Sequence, residues 1–343
     1  MNNARKWYDE IDDSGIYMSS RVRLARNLRK YPFTLMQTDQ TAQSVITEAE
    51  NALMRGGEDF WNNFIKINID EKKDIEKYSY VNKHAISPEF FKRRGPKGLF
   101  LTLDEQLSVM VNEEDHLRLQ AIFPGNNMEK AWERISRLDD LIEESIDYAF
   151  DKDFGFLTSC PTNTGTGLRA SYMAHLPMLE FVGEIGSVAQ AVGKLGMTIR
   201  GIYGEGTEPM GSIYQISNQV TIGKSEEDII LALNTVTAQI IEKERAIAQK
   251  AVTNIETADK VYRAYGILTH CRKISLKEAV ALLSEVRFGY VSGALKEKRP
   301  KNNIYAIMMN IQNALMQHNC GRSLREAEAD ALRAEFIRNS FSI

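Results

Sequence analysis

The spacing of the apolar residues changes once along the chain, and this change limits the fold more than any other feature of the sequence. Between Ser19 and about Ile255 the apolar residues follow both the two-residue period of strands and the longer period of helices. From Glu256 to the end they follow the helical period almost throughout. Because 343 residues are enough for two domains, we predict one domain over residues 1–253 and a small, all-helical domain over residues 254–343.

The first domain contains short segments with the alternation of half-buried strands. These segments are 64–69, 99–103, 106–111, 116–122, 197–204 and 213–222. Two long stretches at helical spacing, 128–150 and 225–252, interrupt them. Because the strands come in runs with short linkers, we predict an α+β fold in which helices flank an antiparallel sheet. In the C-terminal domain the spacing predicts helices over 258–268, 276–286, 303–317 and 323–340.

The composition is that of a globular protein, with 43% hydrophobic residues, 26% charged residues and a net charge of −3. It excludes a disordered or fibrous chain and gives no overall positive field, so we expect neither nucleic acid nor a membrane as a partner. The N-terminal residues are charged, and no apolar run of about 18 residues occurs. The three cysteines lack CxxC spacing and the five histidines are scattered, so we expect a cytoplasmic protein with no metal site of its own.

Asp153, Phe154 and Gly155 spell the metal-binding DFG motif of eukaryotic-type protein kinases. The other motifs of those kinases, the HRD loop, the VAIK-like strand and the GxGxxG loop, are missing from the sequence. The P-loop motif GxxxxGK(S/T) is missing as well. We therefore interpret the tripeptide as an ordinary turn.

Five arginines occur in segments where the apolar pattern would predict ordinary strand or loop residues. Arg21 and Arg23 share one face of an extended segment, and Arg118 lies in an alternating strand. Arg169 follows a Gly-Thr-Gly turn, and Arg200 follows Met197, Thr198 and Ile199 in another alternating segment. Guanidinium groups match phosphate oxygens with two parallel hydrogen bonds, so converging arginines can hold a polyphosphate without a P-loop. The alternative for each arginine is a surface salt bridge.

Carboxylates lie close to these arginines in the sequence. Glu113, Glu114 and Asp115 are consecutive, and Glu205 lies between two glycines. Held by arginines, such carboxylates stay ionised and can bind a cationic substrate or take its proton. The alternative is a solvated acidic turn. Cys160 is the first residue of the turn-rich segment CPTNTGTG and is a candidate for the site. The alternative interpretation of Cys160 is a buried, inert thiol.

The motifs NEEDHLR, CPTNTGTGLRAS and RGIYGE, in this order, resemble those of the phosphagen (guanidino) kinases. They are most similar to the bacterial branch, the protein arginine kinases of McsB type. The resemblance covers residues 17–252 and continues more loosely through the tail. It implies a guanidino-kinase catalytic domain that transfers the γ-phosphoryl group of ATP to arginine side chains of proteins. The alternatives are a kinase for free arginine and a non-catalytic adaptor that binds phosphoarginine.

The resemblance also implies roles for individual residues. Arg21, Arg23, Arg118, Arg169 and Arg200 are expected to surround the phosphates of ATP. Mg²⁺ is expected to arrive with the nucleotide, because no protein carboxylate stands out as a metal ligand. Further nucleotide contacts are implied for Ser19, Ser20, Val22, His84, Ala170, Ser171, Tyr172, Met173, Gly201, Ile202, Tyr203, Gly204 and Glu205.

For the acceptor, the resemblance implies that Glu114 and Glu205 grip the guanidinium, with Cys160 beside it. The physical reading agrees, because a protonated guanidinium is a poor nucleophile that must be oriented and must lose a proton during transfer. Either glutamate can do both.

Two features favour the protein-directed branch. The nucleotide motif begins as early as Ser19, so we expect the N-terminal helical domain of the small-guanidine kinases to be missing, and a helical tail follows the catalytic part. One feature departs from that branch. The RDxxRA motif expected to bind phosphoarginine has Ala329 in place of its first arginine, while Asp330 and Arg333 remain. We therefore expect weak or absent phosphoarginine binding there.

The resemblance further implies a role in stress response and protein quality control. The expected partners are an activator of McsA type, an unfoldase of ClpC type and a repressor of CtsR type. A homodimer is a further expectation, because the apolar residues Ile304, Met308 and Ile311 suit a dimer interface. Their alternative is packing in a core.

Overall fold

The computed structural model describes residues 5–201 and 210–341. Its strands, in chain order, are β1 (Tyr17–Arg26), β2 (Phe64–Ile67), β3 (Gly98–Thr102), β4 (Leu107–Val111), β5 (Leu117–Pro124), β6 (Phe150–Asp151), β7 (Gly155–Phe156), β8 (Leu168–His175), β9 (Met197–Gly201) and β10 (Ile213–Asn218). Eight of them form one sheet in the order β2-β3-β4-β5-β1-β8-β10-β9. All neighbouring strands in this sheet are antiparallel. The predicted α+β architecture is confirmed.

Helices flank this sheet and make up the tail. They are α1 (Asp39–Met54), α2 (Glu58–Trp61), α3 (Asp74–Asn82), α4 (Pro88–Lys92), α5 (Met128–Glu143), α6 (Pro177–Phe181), α7 (Ile185–Gly193), α8 (Glu226–Ala251), α9 (Ile255–His270), α10 (Leu276–Ser292), α11 (Ile304–Asn310), α12 (Asn313–Cys320) and α13 (Glu326–Phe341). In the part of the chain that the structure describes, no helix combines the length and the apolar character needed to cross a membrane.

The central strand β1 places apolar side chains on one face of the sheet and arginines on the other. Val22 and Leu24 are fully buried in the main core, where α5 packs on β1 and β5 and α8 packs on β8 and β10. Arg21 and Arg23 alternate with them and therefore point to the opposite face. The helices α5 and α8 thus cover one face of the sheet. On the other face, Ile122 and Met173 belong to a core that they share with the tail helices, and the arginines lie beside this core.

A second core joins the C-terminal helices to the N-terminal segment. Trp7 and Met18 belong to the same buried cluster as Ile304, Met308 and Ile311. These three tail residues are at most 3% exposed. They pack in a core, as the alternative interpretation had it, and are not available for a dimer interface. The domain boundary between residues 253 and 254 stays a prediction.

Three predicted helices differ from the observed ones by more than three residues at one end or by a break. The helix expected over 128–150 ends at Glu143, because the following backbone pairs with the end of β1 instead: Ala149 N donates to Asn27 O at 2.7 Å. The helix expected over 276–286 continues to Ser292 and ends where Gly293 adopts a left-handed conformation at φ +78°. The helix expected over 303–317 is two helices, α11 and α12.

Candidate active site

A cleft of about 220 Å³ lies on the face of the sheet that carries Arg21 and Arg23, the arginine face, near the ends of β1, β5 and β8. It contains arginines and carboxylates together, as the motifs predicted. The lining residues are Arg23, Leu24, Ala25, Glu113, Glu114, Asp115, Arg118, Cys160, Thr162, Asn163, Gly167 and Arg169.

The strand register explains why arginines from distant parts of the sequence converge. Arg23 of β1 lies directly opposite Arg169 of β8. On the other side of β1, Ala25 lies opposite Arg118 of β5. Residues opposite each other in antiparallel strands project from the same face. The three guanidinium groups therefore meet above β1, with Arg21 two residues away on the same face.

This arginine cluster holds more positive charge than the surrounding protein balances. Burial and the charges of Arg118 and Arg169 lower the pKa of Arg21 to about 10. Burial and the neighbouring arginines also hold the pKa of Arg23 well below its usual value. The Nε atoms of Arg23 and Arg169 are buried and have no hydrogen-bond partner. Because burial and like charges both disfavour the charged forms, a bound polyanion would stabilise the cluster, and the arrangement fits the phosphates of a nucleotide.

Glu113 is the carboxylate that balances part of this charge. It forms an ion pair with Arg118 and accepts hydrogen bonds from Ser87 Oγ and from the backbone N of Glu114. Burial alone would raise its pKa, but Arg118 and these hydrogen bonds outweigh burial, and the pKa is lowered. Glu113 is therefore an ionised group that fixes Arg118 in position.

Glu114 differs from both of its neighbours. Its side chain is exposed, and Oε2 accepts one hydrogen bond, from Asn163 Nδ2 at 3.3 Å. Asp115, in contrast, is buried and uses Oδ1 to accept from Asn27 Nδ2 at 2.7 Å and from Ser159 N at 2.6 Å. Partial desolvation and the charges of Asp115 and Glu113 raise the pKa of Glu114. Glu114 is thus the carboxylate of this turn that is placed to receive a substrate proton.

The loop that carries Cys160 and Asn163 is fixed from both sides. Thr221 Oγ1 donates to the carbonyl oxygen of Thr164 at 2.7 Å. Gly167 has φ +66°, and a Cβ there would lie 2.6 Å from the carbonyl oxygen of Ala25. Only glycine allows this close approach of the loop to β1. The half-buried Cys160 thiol lies 3.0 Å from Thr162 Oγ1 and faces the cleft.

The predicted nucleotide residues next to the arginines divide between the two faces of the sheet. The arginine face carries Ser19, Ser171 and Met173, which alternate in register with Arg21 and Arg169. The remaining side chains point to the helical face and lie away from the cleft, so the structure does not bring them together with the arginines. These are Ser20, Val22, Ala170 and Tyr172.

The other predicted nucleotide residues come from β9 and the segment after it. Arg200 lies opposite Gln215, which accepts a hydrogen bond from Arg21 at 2.7 Å, and the Arg200 charge helps to lower the pKa of Arg169. Gly201 is the last residue of β9. The remaining predicted residues lie outside the described part of the chain: Ile202, Tyr203, Gly204 and Glu205.

His84 lies at the edge of the arginine face. Its backbone is left-handed, with φ +59°, and its Nε2 lies 3.1 Å from the hydroxyl of Tyr305 in α11. Burial, together with the charge of Arg21, lowers the pKa of His84 to about 3, so the ring is neutral. Within residues 5–201 and 210–341, no group of three or more His, Cys, Asp or Glu side chains is arranged to hold a metal ion.

The two charged residues of the tail motif, Asp330 and Arg333, are buried. Arg333 is 1% exposed, and its Nη1 donates to Asp330 Oδ1 at 2.6 Å and to the carbonyl oxygen of Ile274 at 2.9 Å. Its Nη2 donates to Asn313 Oδ1 at 2.6 Å, and its Nε donates to the carbonyl oxygen of Ile311. A buried guanidinium with these partners is not placed to bind phosphoarginine, so the structure does not support the assignment of Asp330 and Arg333 to such a site.

Replacement of Arg333 by methionine is expected to lower the free energy of unfolding by about 3–5 kcal/mol, because the buried Asp330 would keep, among the described residues, only the exposed Lys273, 3.9 Å away, as an ion-pair partner. Urea unfolding followed by circular dichroism measures this change. The double variant Asp330→Leu, Arg333→Met should recover part of the loss, since it leaves no unpaired charge. Unchanged stability together with lost binding of a phosphoarginine peptide would instead show a ligand-binding role.

The roles of two polar residues in the cleft, Glu113 and Asn163, are not evident from the sequence. Glu113 was noted only as one member of an acidic run, and Asn163 only as part of a turn-rich segment. A run of three acidic residues does not show which side chain pairs with Arg118, because a turn breaks the alternation that orders side chains along a strand. The motif CPTNTGTG contained the signal for Asn163, since it is the amide in a loop of hydroxyls and glycines.

Solved structures share this fold. The duplicated taurocyamine kinase from Schistosoma mansoni, solved with transition state analog components, superposes with a TM-score of 0.62 at 24% identity, over 72% of this chain and 37% of that chain. A lombricine kinase gives a TM-score of 0.60 at 23% identity, over 71% of each chain. The sheet and its helices thus have the fold of the guanidino kinases.

Sequence comparisons extend this to the family. A family model described as "ATP:guanido phosphotransferase, C-terminal catalytic domain" matches residues 44–247, and one described as "Protein-arginine kinase McsB C-terminal domain" matches residues 254–343. The protein-arginine kinase of Caldanaerobacter subterraneus is 41% identical over 95% of this chain and 96% of its own. That of Bacillus subtilis is 43% identical over 95% of this chain and 90% of its own. The chain belongs to the protein-arginine kinase family, and the resemblance seen in its motifs is confirmed.

Proposed function

We propose that this protein transfers the γ-phosphoryl group of ATP to arginine side chains of proteins. The observation that carries this proposal is the pairing of two features in one cleft. A cluster of arginines holds uncompensated positive charge, and an exposed carboxylate, Glu114, lies beside it. A polyanion and a cationic acceptor can therefore bind side by side.

The arginines position and neutralise the phosphates. Transfer of a phosphoryl group proceeds through a loose transition state, so catalysis depends mostly on alignment and on stabilisation of charge on the phosphate oxygens. Arg23, Arg118 and Arg169 offer forked donors from three strands of one rigid sheet, which suits this task. Mg²⁺ bound to the nucleotide would supply further neutralisation of the phosphates.

Glu114 acts on the acceptor. Its carboxylate can accept two hydrogen bonds from the guanidinium and so aim one nitrogen at the phosphate. Its raised pKa makes it a better proton acceptor than an ordinary glutamate. The proton passes from the guanidinium nitrogen to the carboxylate of Glu114 as that nitrogen bonds to the γ-phosphorus. The bond between this phosphorus and the β,γ-bridging oxygen breaks in the same step, and ADP leaves. Cys160 faces the same cleft, and replacement by serine is proposed to reduce activity less than replacement of Glu114.

Activity is expected to fall as the pH is lowered through the raised pKa of Glu114, because the protonated carboxyl can no longer accept the proton. The acidic limb of kcat/KM should therefore lie above that of an unperturbed glutamate. The hydrogen bond from Asn163 lowers this pKa, so Asn163→Ala should move the limb to higher pH. A pH–rate profile of both proteins measures this shift. A limb that stays in place in the variant would show that another group titrates.

The choice between protein and free arginine as acceptor is open to a direct test. Purified protein is incubated with radiolabelled ATP, Mg²⁺ and either casein or free arginine. The proposal requires acid-labile label on casein. Label on free arginine alone would assign the protein to the small-guanidine kinases.

We further propose the cellular setting that the family resemblance implied. The protein would act in the cytoplasm during stress and quality control. An activator of McsA type, an unfoldase of ClpC type and a repressor of CtsR type are proposed partners. A homodimer, if formed, would use a surface other than Ile304, Met308 and Ile311, which are buried.

A further inference from the structure

A groove of about 240 Å³ lies directly behind the loop that carries Cys160 and Asn163. Three large apolar side chains border it and are well exposed: Phe150 by 48%, Phe154 by 56% and Ile222 by 50%. Scattered exposed apolar residues need no explanation, but several that line one groove are typical of a surface that binds a partner.

The local structure forces Phe154 outwards. Asp151 Oδ1 accepts hydrogen bonds from the backbone N of Asp153 at 2.8 Å and of Phe154 at 3.1 Å, which closes a tight turn between β6 and β7. Gly155 follows with φ +78°, and a Cβ there would lie 2.5 Å from the carbonyl oxygen of Gly165. The DFG tripeptide is thus a turn, as the sequence indicated, and this turn presents Phe154 to solvent.

The groove and the catalytic cleft share one loop as a wall. The backbone of Phe156 exchanges two hydrogen bonds with Gly165, at 2.8 and 3.2 Å. The loop that contains Gly165 lines the cleft with Cys160 and Asn163 and lines the groove with Gly165 and Thr166. Paired strands lie about 4.8 Å apart, and an extended chain advances about 3.3 Å per residue. A polypeptide whose arginine lies at Glu114 can therefore reach the groove within a few residues.

We propose that this groove binds an apolar side chain of the substrate polypeptide that lies a few residues from the acceptor arginine. The occupant is thus an extended protein segment with an aromatic or aliphatic residue next to arginine. This inference rests on the proposed function, since it requires a polypeptide in the cleft. It adds a selection rule that the arginines and Glu114 do not provide, because they contact only the phosphates and the guanidinium.

The test uses full-length protein and two sets of peptides with one arginine in a Gly/Ser background. One set carries phenylalanine at each position from two to five residues on either side of the arginine, and the other carries serine there. At the best position, phenylalanine is expected to raise kcat/KM about tenfold, the effect of burying roughly half of an aromatic side chain. Phe154→Ser should remove this gain and leave kcat/KM for the serine peptide unchanged.

Two further variants make the result specific. Ile222→Ser should reduce the phenylalanine gain in the same way from the other wall of the groove. Phe181→Ser, a control at a residue that is 74% exposed on α6 and outside the groove, should keep the full gain.

Equal kcat/KM for the phenylalanine and serine peptides at all positions would overturn the proposal. So would equal losses on both peptides in Phe154→Ser. A change of sedimentation coefficient in Phe154→Ser with an unchanged phenylalanine gain would assign the groove to a second copy of the chain instead. Absence of transfer to casein and to every peptide would overturn the proposed function, and the groove assignment with it.

Discussion

Replacement of Glu114 by glutamine is expected to lower kcat by about 10²–10⁴-fold, the usual contribution of a positioned proton acceptor. The side chain keeps its size and can still accept the hydrogen bond from Asn163, so the fold of the turn should persist. The affinity for ATP should stay within about twofold of wild type, because Glu114 faces the acceptor and the arginines face the phosphates. Steady-state kinetics with casein and equilibrium binding of ATP measure the two effects separately.

A matched control is Glu144→Gln, at an exposed residue after the end of α5. This variant should retain full activity. If Glu114→Gln keeps wild-type kcat, or if it loses ATP binding together with turnover, the role given to Glu114 is wrong. Glu205, outside the described residues, would then be the remaining candidate for the proton acceptor.

Replacement of Arg23 by methionine is the second change with a large expected effect. An arginine that stabilises the transferring phosphoryl group is worth about 10³–10⁵-fold in kcat in other phosphoryl-transfer enzymes. Arg23 lies at the centre of the cluster, and its pKa is held well below the usual value by burial and by other arginines. Methionine keeps most of the side-chain volume and removes the charge, so both turnover and ATP binding should fall.

The same variant should be at least as stable as wild type when no ligand is present. Replacing a poorly balanced buried charge by an apolar group is often neutral or stabilising. Bound ATP stabilises the wild type, and the stabilisation grows with the ratio of the ATP concentration to Kd. It is about 2.7 kcal/mol when the ATP concentration is a hundred times Kd. Thermal unfolding should therefore show that the Tm of the variant without ATP is equal to or above that of wild type. Addition of ATP should raise the Tm of wild type but not that of the variant. A lowered Tm without ligand would mean that Arg23 has a structural partner.

Arg134→Met provides the control for this experiment, because Arg134 is exposed on α5 and lies on the helical side of the sheet. It should change neither the Tm nor the shift caused by ATP. Retention of the ATP shift in Arg23→Met would place the phosphates elsewhere in the cleft.

Much of the sheet could be predicted from alternation, and the exceptions have a physical cause. The strands β3, β4 and β5 alternate or form short apolar runs, so their positions were evident. The strand β8 was missed, since the sequence LRASYMAH mixes small and polar residues with apolar ones. This strand lies in the middle of the sheet with both faces covered, so seven of its eight residues are buried and no amphipathic pattern results.

The site could be predicted to the level of its segments but not of every side chain. Period-two alternation placed Arg21 and Arg23 on one face, and the register with β8 then brings Arg169 to them. A contiguous motif does not show which residues face the ligand. Ser20 and Val22 were therefore included with the arginines, although alternation turns them towards the core.

The ion pairs could not be read from the sequence, because they depend on long-range packing. Asp330 and Arg333 are three residues apart on one helix, a spacing that suits either a ligand site or an internal salt bridge. Arg333 also donates hydrogen bonds to the carbonyl oxygens of Ile274 and Ile311, and these contacts favour the internal salt bridge. Both residues lie outside the helix that carries Asp330 and Arg333, so the spacing on that helix does not reveal them. Likewise, Arg118 pairs with Glu113 only because the turn between β4 and β5 places Glu113 beside β5.

The most direct test of the central claim is the position of the transferred phosphoryl group. Casein incubated with the protein, ATP and Mg²⁺ is digested at neutral pH and analysed by mass spectrometry, with the Glu114→Gln variant in parallel. We expect phosphorylated arginine in the wild-type reaction and almost none with the variant. Phosphate found only on serine, threonine or tyrosine, or equal arginine phosphorylation by both proteins, would contradict the proposal that Glu114 and the arginine cluster form the site of protein arginine phosphorylation.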